Sequence, residues 1–418
     1  MGHDQTLSEL SNQLQAGNTG FAELAPVAAA WGWLDALPAR AGAETLPLEA
    51  AYGRVLARDM TVDAAAPGTP RAAANGYAVR AAECVGASAY NPLRLALLPL
   101  GTDALPEAAA CPIATGWALP TGADAVLPLD AAQADGPRWL EVLDAVPRGA
   151  GIDTPPPTLC LRAGRRLRPQ DLGCLAAAGT GRVGVLPRPR VALLVRGAKS
   201  GPDMLSPMLH ALLARDGAAP TIVPLAATDP AALLAALTGP AVAACDLVVL
   251  AGRAGVGIDD TAAAAVSAAG GTMALHGLAL RPGGNAGLAT LPIGGGALPG
   301  SGDAVPVLLL PGEPLACLAA YDLLGARLVR RLAGLAPPLP YPVAEFPLAR
   351  KIVSGLGSMD LVPVRLADGH AEPVADAGLA GAARADGFVL VSEGSEGYPA
   401  GARVPVHLYD PTMQGGMA

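Results

Sequence analysis

Three loops in the second half of the chain carry residue types suited to holding anions. RPRVALLVRG (188–197) ends on Gly197. CDLVVLAGRAGVG (245–257) runs from an apolar stretch into Gly252, Arg253, Gly255 and Gly257. LLLPGEP (308–314) places Pro311, Gly312, Glu313 and Pro314 after another apolar stretch. Glycine loops present backbone N–H groups, helix N-termini add partial positive charge, and arginine offers a planar fork of donors. A chain of net charge −8 needs such local features to handle anions. Earlier, in ATGWALPTGADAV (114–126), Thr115 sets a hydroxyl beside Gly116, which suits an anion contact or a simple turn. Asp124 precedes an apolar stretch, where a carboxylate holds a metal ion or water, or caps the turn. Asn75–Gly76 reads as a polar contact or as a tight turn.

The elements that would position these loops follow from periodicity. Between 188 and 334, apolar runs of strand length alternate with helical patterns: SPMLHALLARDG with Ser206 as N-cap and Pro207 at N1, and DPAALLAALTG capped by Asp229. That alternation predicts a mostly parallel sheet with helices on both faces, whose ligands bind at the carboxyl ends of strands. Residues 70–147 are β-rich, with short apolar runs between turn residues. Phe21–Leu37 has a helical pattern, LPLEAAYGRVLARDM reads as a helix ending before a strand, and LRPQDLGCLAAAG as a helix with Pro169 near N1 that ends at Gly179. DTPPPT (153–158) marks a linker, and GGGALPGSGD (294–303) a hairpin tip without chemistry. From 338 to 410, LVPVRL, GFVLVSEG and ARVPVHLY have strand character.

Composition narrows the function classes. At 418 residues several domains are expected, and 52% apolar residues with only 3% aromatics imply cores of Ala, Leu and Val. No basic run or aromatic–basic stripe points to nucleic acid. Six scattered cysteines, none at Cys-x-x-Cys spacing, read as buried thiols in a reducing compartment. No signal peptide or membrane-length apolar run is present, which points to the cytoplasm. His276, alone in LHGLAL, reads as a structural residue.

Several blocks together resemble one family. NGYAVRAAE (75–83), preceded by GRVLARD (53–59), is similar to the family block DGYAVRA, and ATGWALPTGADAV to TGAPLPEGADAVV. RPRVALLVRG, DLVVLAGRAGVG, GLALRPG (277–283) and LLLPGEPLACLAAYDLL (308–324) resemble, in order, four further blocks. The chain is thereby identified, from about 21 to 409, as a divergent member of the molybdopterin molybdenumtransferase family of MoeA and the gephyrin E domain. The resemblance implies a multidomain α+β and α/β fold: an elongated helical domain (21–65 and 148–187) after a flexible tail (1–20), an inserted β domain (66–147), an α/β molybdopterin-binding domain (188–335) and a C-terminal β barrel (338–410). It also implies a homodimer.

The activity so implied is insertion of molybdate into adenylylated molybdopterin, with Mg²⁺ and release of AMP. In that reading Asn75, Thr115, Asp124 and Asp260 are catalytic, with Asp124 and Asp260 as metal ligands. Gly197, Asp203, Gly252, Arg253, Gly255, Gly257, Arg281, Pro311, Gly312 and Glu313 bind molybdopterin or its adenylylated form. Departures from the family pattern have a direction. Acidic positions become Asn75, Ala198 and Ile258, and one Lys becomes Gly284, while Arg196, Lys199 and Arg253 bring positive charge. Arg253 can contact phosphate or fill the nucleotide pocket. Glu313, where the family has Asn, adds negative charge near an anion site. Fewer carboxylates suit anion binding better than Mg²⁺ chemistry. The alternative function is therefore a catalytically degenerate paralogue that carries molybdopterin or finished cofactor to a client molybdoenzyme. A scaffold is the third reading.

Overall fold

The computed structural model describes residues 21, 23–38, 42–63, 70–153, 158–196, 202–225, 230–255, 260–293, 304–375 and 378–410. The chain divides into two compact units. One is Leu46–Val183; the other combines the chain on either side of it, up to Thr45 and from Gly184. Helix α1 (Val27–Ala36) belongs to the latter and buries Val27, Ala30 and Leu34, one stripe at helical spacing.

In the unit Leu46–Val183, six strands form one sheet: β1 (Gly76–Val79), β2 (Leu93–Leu97), β3 (Ala109–Ile113), β4 (Ala125–Pro128), β5 (Ala132–Asp135) and β6 (Trp139–Val142), in the order β4-β1-β3-β2-β6-β5. Val79, Leu95, Ala110, Leu127, Leu140 and Val142 make its core. Met60–Asp63 pairs with Thr158–Leu161, and Arg71–Ala72 with Ile152–Asp153. Helix α2 (Pro169–Ala177) starts with Pro169 at N1, and Gly179 beyond its end has φ +77°, so its boundaries are those expected. The helix expected over LPLEAAYGRVLARDM does not form. Glu44–Pro47 is a strand and Leu48–Ala50 a single 3₁₀ turn. Pro47 and Gly53 break the helical pattern, and the backbone bonds across the unit instead: Gly53 N–H to Leu167 O (2.9 Å), Leu56 N–H to Arg165 O (2.9 Å).

The other unit holds an α/β sheet of β7 (Arg190–Val195), β8 (Ala219–Pro224), β9 (Leu247–Ala251), β10 (Thr272–His276), β12 (Gly287–Pro292) and β13 (Ala304–Leu310), ordered β8-β7-β9-β13-β12-β10; β11 (Leu280–Arg281) lies between β10 and β12 in sequence. The first four in that order are parallel, while β12 and β10 are antiparallel additions. Helices α3 (Leu205–Arg215), α4 (Pro230–Leu237), α5 (Ala262–Ala268), α6 (Pro314–Ala320) and α7 (Ala326–Leu332) accompany them. Both faces are buried, and strand periodicity sorts the side chains. Val191, Leu193, Leu247, Val249, Leu308 and Leu310 enter one core. Ala192, Leu194, Val248, Leu250, Val307 and Leu309 enter the other. Each fully buried Leu or Val contributes ~1.5–3 kcal/mol, so the parallel strands form a stiff platform for the loops at their ends.

The C-terminal part is a curled sheet of β14 (Val343–Pro347), β15 (Met359–Ala367), β16 (His370–Pro373), β17 (Gly387–Val391) and β18 (Arg403–Leu408), with α8 (Leu379–Arg384) beside it. Its order is β11-β15-β17-β18-β14, with β16 also on β15. A bridge from Leu348 to Ala371 links the β14 side back to β16, so the sheet curls around Val364, Val389, Val391, Val404, Val406 and Leu408. Four cysteines are buried as expected, but Cys160 and Cys174 are exposed, and all six are free thiols.

Candidate functional site

At the carboxyl end of the parallel sheet three loops meet. Arg196 follows β7, Gly252–Gly255 follow β9, and Pro311–Glu313 follow β13. The backbone continues the ladder past the strands: Arg196 N–H donates to Ala251 O (2.9 Å) and Gly252 N–H to Leu310 O (3.0 Å). Gly252 has φ +87°, and a Cβ there would lie 2.5 Å from the Arg196 carbonyl oxygen, so only glycine fits. A Cβ on Gly312 would be 3.3 Å from Gly252 Cα, which puts the Pro311–Glu313 loop directly against the glycine turn. Gly197 and Gly257, expected in these loops, lie outside the described residues, as do Ala198, Lys199, Ile258 and the predicted cap Asp229.

Within the turn, Arg253 adopts φ +57°, a left-handed conformation costly for a residue with a side chain. Its carbonyl accepts Ala262 N–H (3.2 Å), tying the turn to the start of α5. Gly255 packs under Asp260. A Cβ there would lie 2.6 Å from Asp260 Oδ2 and 3.0 Å from Asn285 Nδ2. Asn285 is thus a site neighbour that the motifs did not flag; its only sequence signal is a polar residue directly after RPGG. The buried Arg196 donates to the Thr261 hydroxyl under the same turn. His276 Nε2 lies 2.6 Å from Ala254 O and its ring meets Phe21 edge-on, so it braces the loop, in keeping with the structural role expected of it.

Other expected ligands have partners within the fold. Asp203 Oδ1 accepts Leu205 N–H (3.1 Å) and Ser206 N–H (3.0 Å). Burial alone would raise this carboxyl, but the hydrogen bonds from Ser206 and Leu205 outweigh it and hold the group below the usual range. Asp203 therefore caps α3. This corrects the expected Ser206 cap, since the helix already starts at Leu205. Glu313 is the N-cap of α6: its carboxylate accepts Leu315 N–H (3.1 Å) and Ala316 N–H (2.7 Å). The added negative charge thus sits on helix donors, where it is stabilised. Arg281 makes a bidentate pair with Asp360 (2.8 and 3.0 Å) and also donates to Gly355 O (3.2 Å).

The unit Leu46–Val183 carries its own polar group. Asn75 Oδ1 accepts both Thr115 N–H (2.9 Å) and the Thr115 hydroxyl (3.1 Å), at the exposed start of β1. Gly116 N–H donates to Ala72 O (2.7 Å), and Arg71 donates to Gly116 O (2.8 Å), so the Thr115 turn is held from three sides. Asp124 Oδ1 accepts Ala81 N–H (2.7 Å), and Oδ2 is 3.3 Å from Arg148. Asp124 thus caps the turn before β4.

No three His, Cys, Asp or Glu side chains are placed to hold a metal ion among the described residues. Asp124 is engaged by Ala81 N–H and lies beside Arg148. No helix of the described residues is long and apolar enough to cross a membrane.

A parallel-centred α/β sheet with glycine loops at its strand ends, a curled C-terminal sheet and a β-rich unit within the chain define a multidomain α+β and α/β protein. The comparisons with known proteins carry this further. Residues 25–179 match the MoeA N-terminal region (domain I and II), 192–331 a probable molybdopterin binding domain, and 345–409 the MoeA C-terminal region (domain IV). Molybdopterin molybdenumtransferase 2 of Mycobacterium tuberculosis is 29% identical over 319 residues, 70% of this chain and 76% of the relative. A putative molybdopterin biosynthesis protein of Methanocaldococcus jannaschii is 26% identical over 390 residues, 86% of this chain and 90% of the relative. The crystal structure of the molybdopterin biosynthesis MoeA protein from Pyrococcus horikoshii OT3 superposes with a TM-score of 0.74 at 24% identity, covering 93% of this chain and 100% of that one. The chain belongs to the MoeA family, as a divergent member.

Proposed function

We propose that this protein acts in molybdenum cofactor biosynthesis by binding a molybdopterin-type ligand at the strand-end loops, as a molybdopterin molybdenumtransferase. The observation that carries the reading is the junction of Arg196, Gly252 and Gly312, which brings three loops of anion-binding composition into backbone contact. Arg253 adds a guanidinium for which no hydrogen bond or ion pair exists among the described residues. A phosphate or pyrophosphate is the kind of group such a turn receives, through backbone N–H donors and an arginine fork. The finer reaction is transfer of molybdate to adenylylated molybdopterin with release of AMP. The purified protein supplied with adenylylated molybdopterin and molybdate, with and without Mg²⁺, is expected to release AMP and yield active cofactor. Absence of both products would sink the transferase reading.

One observation favours a second reading. Asp124, one of the two carboxylates assigned to the metal, has partners in Ala81 and Arg148, which leaves ligand binding better supported than metal-assisted transfer. In this reading the protein carries molybdopterin or finished cofactor to a client enzyme, and it would bind the ligand tightly without AMP release. Asn75→Asp distinguishes the two. An Asp accepts the same two hydrogen bonds from Thr115, so only charge changes. Activity gained on this substitution would mean a transferase weakened at one position.

We further propose the division into an elongated domain (21–65 and 148–187), an inserted β domain (66–147), an α/β domain (188–335) and a C-terminal domain (338–410), and a cytoplasmic homodimer. Sedimentation equilibrium of the full chain, expected to give twice 41.5 kDa, checks the last point.

A further inference from the structure

Strand β11 belongs in sequence to the α/β region and in space to the curled sheet. Its two residues pair in parallel with β15, Leu280 opposite Met359 and Arg281 opposite Asp360, and Met359 N–H donates to Ala279 O (2.8 Å). The chain then turns back through Gly283, Gly284 and Asn285 towards the strand-end loops. A Cβ on Gly283 would lie 3.2 Å from the carbonyl oxygen of Ala316, in the first turn of α6. A Cβ on Gly255 would lie 3.0 Å from Asn285 Nδ2 and 2.6 Å from Asp260 Oδ2. Arg281 thus stands at the root of a turn that touches both the glycine turn and the start of α6, while its side chain is held by the curled sheet.

That hold has a direction. Arg281 Nε donates to Asp360 Oδ1 (2.8 Å), and Nη2 donates to Asp360 Oδ2 (3.0 Å) and to Gly355 O (3.2 Å). Asp360 is fixed in turn by the buried Ser354, whose hydroxyl donates to Oδ2 (2.8 Å). A Cβ on Gly355 would lie 3.0 Å from Nη2 and 3.2 Å from Nη1, so the guanidinium occupies space that any larger residue would take. The Nε–Nη2 edge is therefore committed within the fold. Nη1, with two N–H donors, makes no hydrogen bond among the described residues, and 52% of the side chain is exposed. The five donors of a guanidinium form one rigid fork, so fixing one edge fixes where the other points. Lysine, a point charge on a flexible stem, has no second edge to aim.

We infer that Asp360, supported by Ser354 and Gly355, is a positioning residue for the ligand site: it aims the Nη1 edge of Arg281 at an oxyanion of the bound molybdopterin-type ligand. The inference rests on the proposed function and adds that the curled sheet takes part in ligand recognition. Two effects of Asp360 oppose each other. Its negative charge weakens the pull of Arg281 on an anion, whereas its grip removes rotamer freedom that Arg281 would otherwise lose on binding. Half the arginine side chain is exposed, so water and salt screen the first effect. The cost of immobilising a long side chain is not screened. Positioning therefore prevails over competition.

The test is titration of the full chain with adenylylated molybdopterin, with thermal melts to confirm that each variant is folded. Arg281→Ala should weaken binding about tenfold, the equivalent of one charge-assisted hydrogen bond. Asp360→Asn should weaken it roughly threefold to fivefold, the cost of ordering one long side chain, although the loss of a negative charge alone would tighten it. Gly355→Ala leaves every charge in place and should give a loss of the same order by displacing the guanidinium; it decides the matter alone if Asp360→Asn does not fold. In an Arg281→Ala background, adding Asp360→Asn should cost nothing further, because the two residues act as one unit. Unchanged or tighter binding in Asp360→Asn, undiminished affinity in Gly355→Ala, or an Asp360→Asn loss that persists without Arg281 would overturn the inference. Binding by the parent that Arg281→Ala leaves unmoved would overturn it too, while the functional reading stands. A parent that does not bind the ligand would bring down both.

Discussion

Arg253 combines two properties that seldom occur together: a strained backbone and a guanidinium with no hydrogen bond or ion pair among the described residues. At φ +57° it would be replaced without loss of backbone stability by glycine. Arg253→Gly therefore separates binding from folding. We expect a melting temperature equal to or above that of the parent, and an affinity for adenylylated molybdopterin lower by about tenfold, the ~1.4 kcal/mol of one charge-assisted hydrogen bond. A melt together with a binding titration checks both. Unchanged affinity would place the side chain outside the ligand site and favour its role as pocket filler. Asn75 is the complementary case. It organises Thr115 through two accepted hydrogen bonds, so Asn75→Ala should lose more ligand affinity than Asn75→Asp, with Thr115→Val giving a loss similar to Asn75→Ala if the hydroxyl is the group that matters.

Helix α6 shows how an element can absorb what a motif comparison reads as a functional change. Glu313 stands where the family carries Asn, and from sequence its charge reads as an obstacle to an anion. In the fold it satisfies two otherwise unpaired N–H groups at the start of α6. Glu313→Ala should cost about 1 kcal/mol, whereas Glu313→Asn, which keeps a capping acceptor, should lie near the parent; urea unfolding measures both. A Glu313→Ala variant as stable as the parent would dismiss the capping role. The same contrast explains what was legible in the sequence. The buried parallel strands were, because β7, β9 and β13 are apolar runs, mostly Val, Leu and Ala, long enough for one strand only. The start of the inserted unit was not, because LPLEAAYGRVLARDM has helix-forming residues whose backbone bonds are made with Arg165 and Leu167, over a hundred residues away. Positions of the glycine turns were legible too. Partners of single charged residues were not: Asp360 for Arg281 and Arg148 for Asp124 carry no local signature.

At the scale of the larger unit, the α/β sheet and the curled sheet are joined through a buried polar network that no motif announced. A π-helical turn, Tyr321–Gly325, joins α6 to α7 and buries Tyr321 and Asp322 side by side. Tyr321 donates to Asp216 Oδ2 (3.1 Å), and Tyr341, just before β14, donates to Asp322 (3.0 Å). Arg215, at the end of α3, reaches Tyr341, Asp216 (2.8 Å) and Asp322 (3.1 Å), and Arg330 lies 3.6 Å from Asp216. Burial pushes the Asp322 carboxyl up to about 6, although Arg215 and Tyr341 pull the other way. Because the folded value exceeds the unfolded one of about 3.9, the fold favours the protonated acid. That contribution is fully present below pH ~4 and is lost as pH rises through about 6. His407, stacked on Phe388 and depressed by burial, acts in the opposite sense, removing stability as pH falls below about 6.5. Asp322→Asn isolates the first effect, since it mimics the neutral acid while leaving His407 in place. Thermal melts between pH 4 and pH 7.5 should show parent stability falling, relative to Asp322→Asn, across the window from about 4 to about 6, with the two curves parallel above it. Curves parallel throughout would mean that Asp322 is ionised at every pH tested, and that the Arg215 pairing outweighs burial where the two sheets meet.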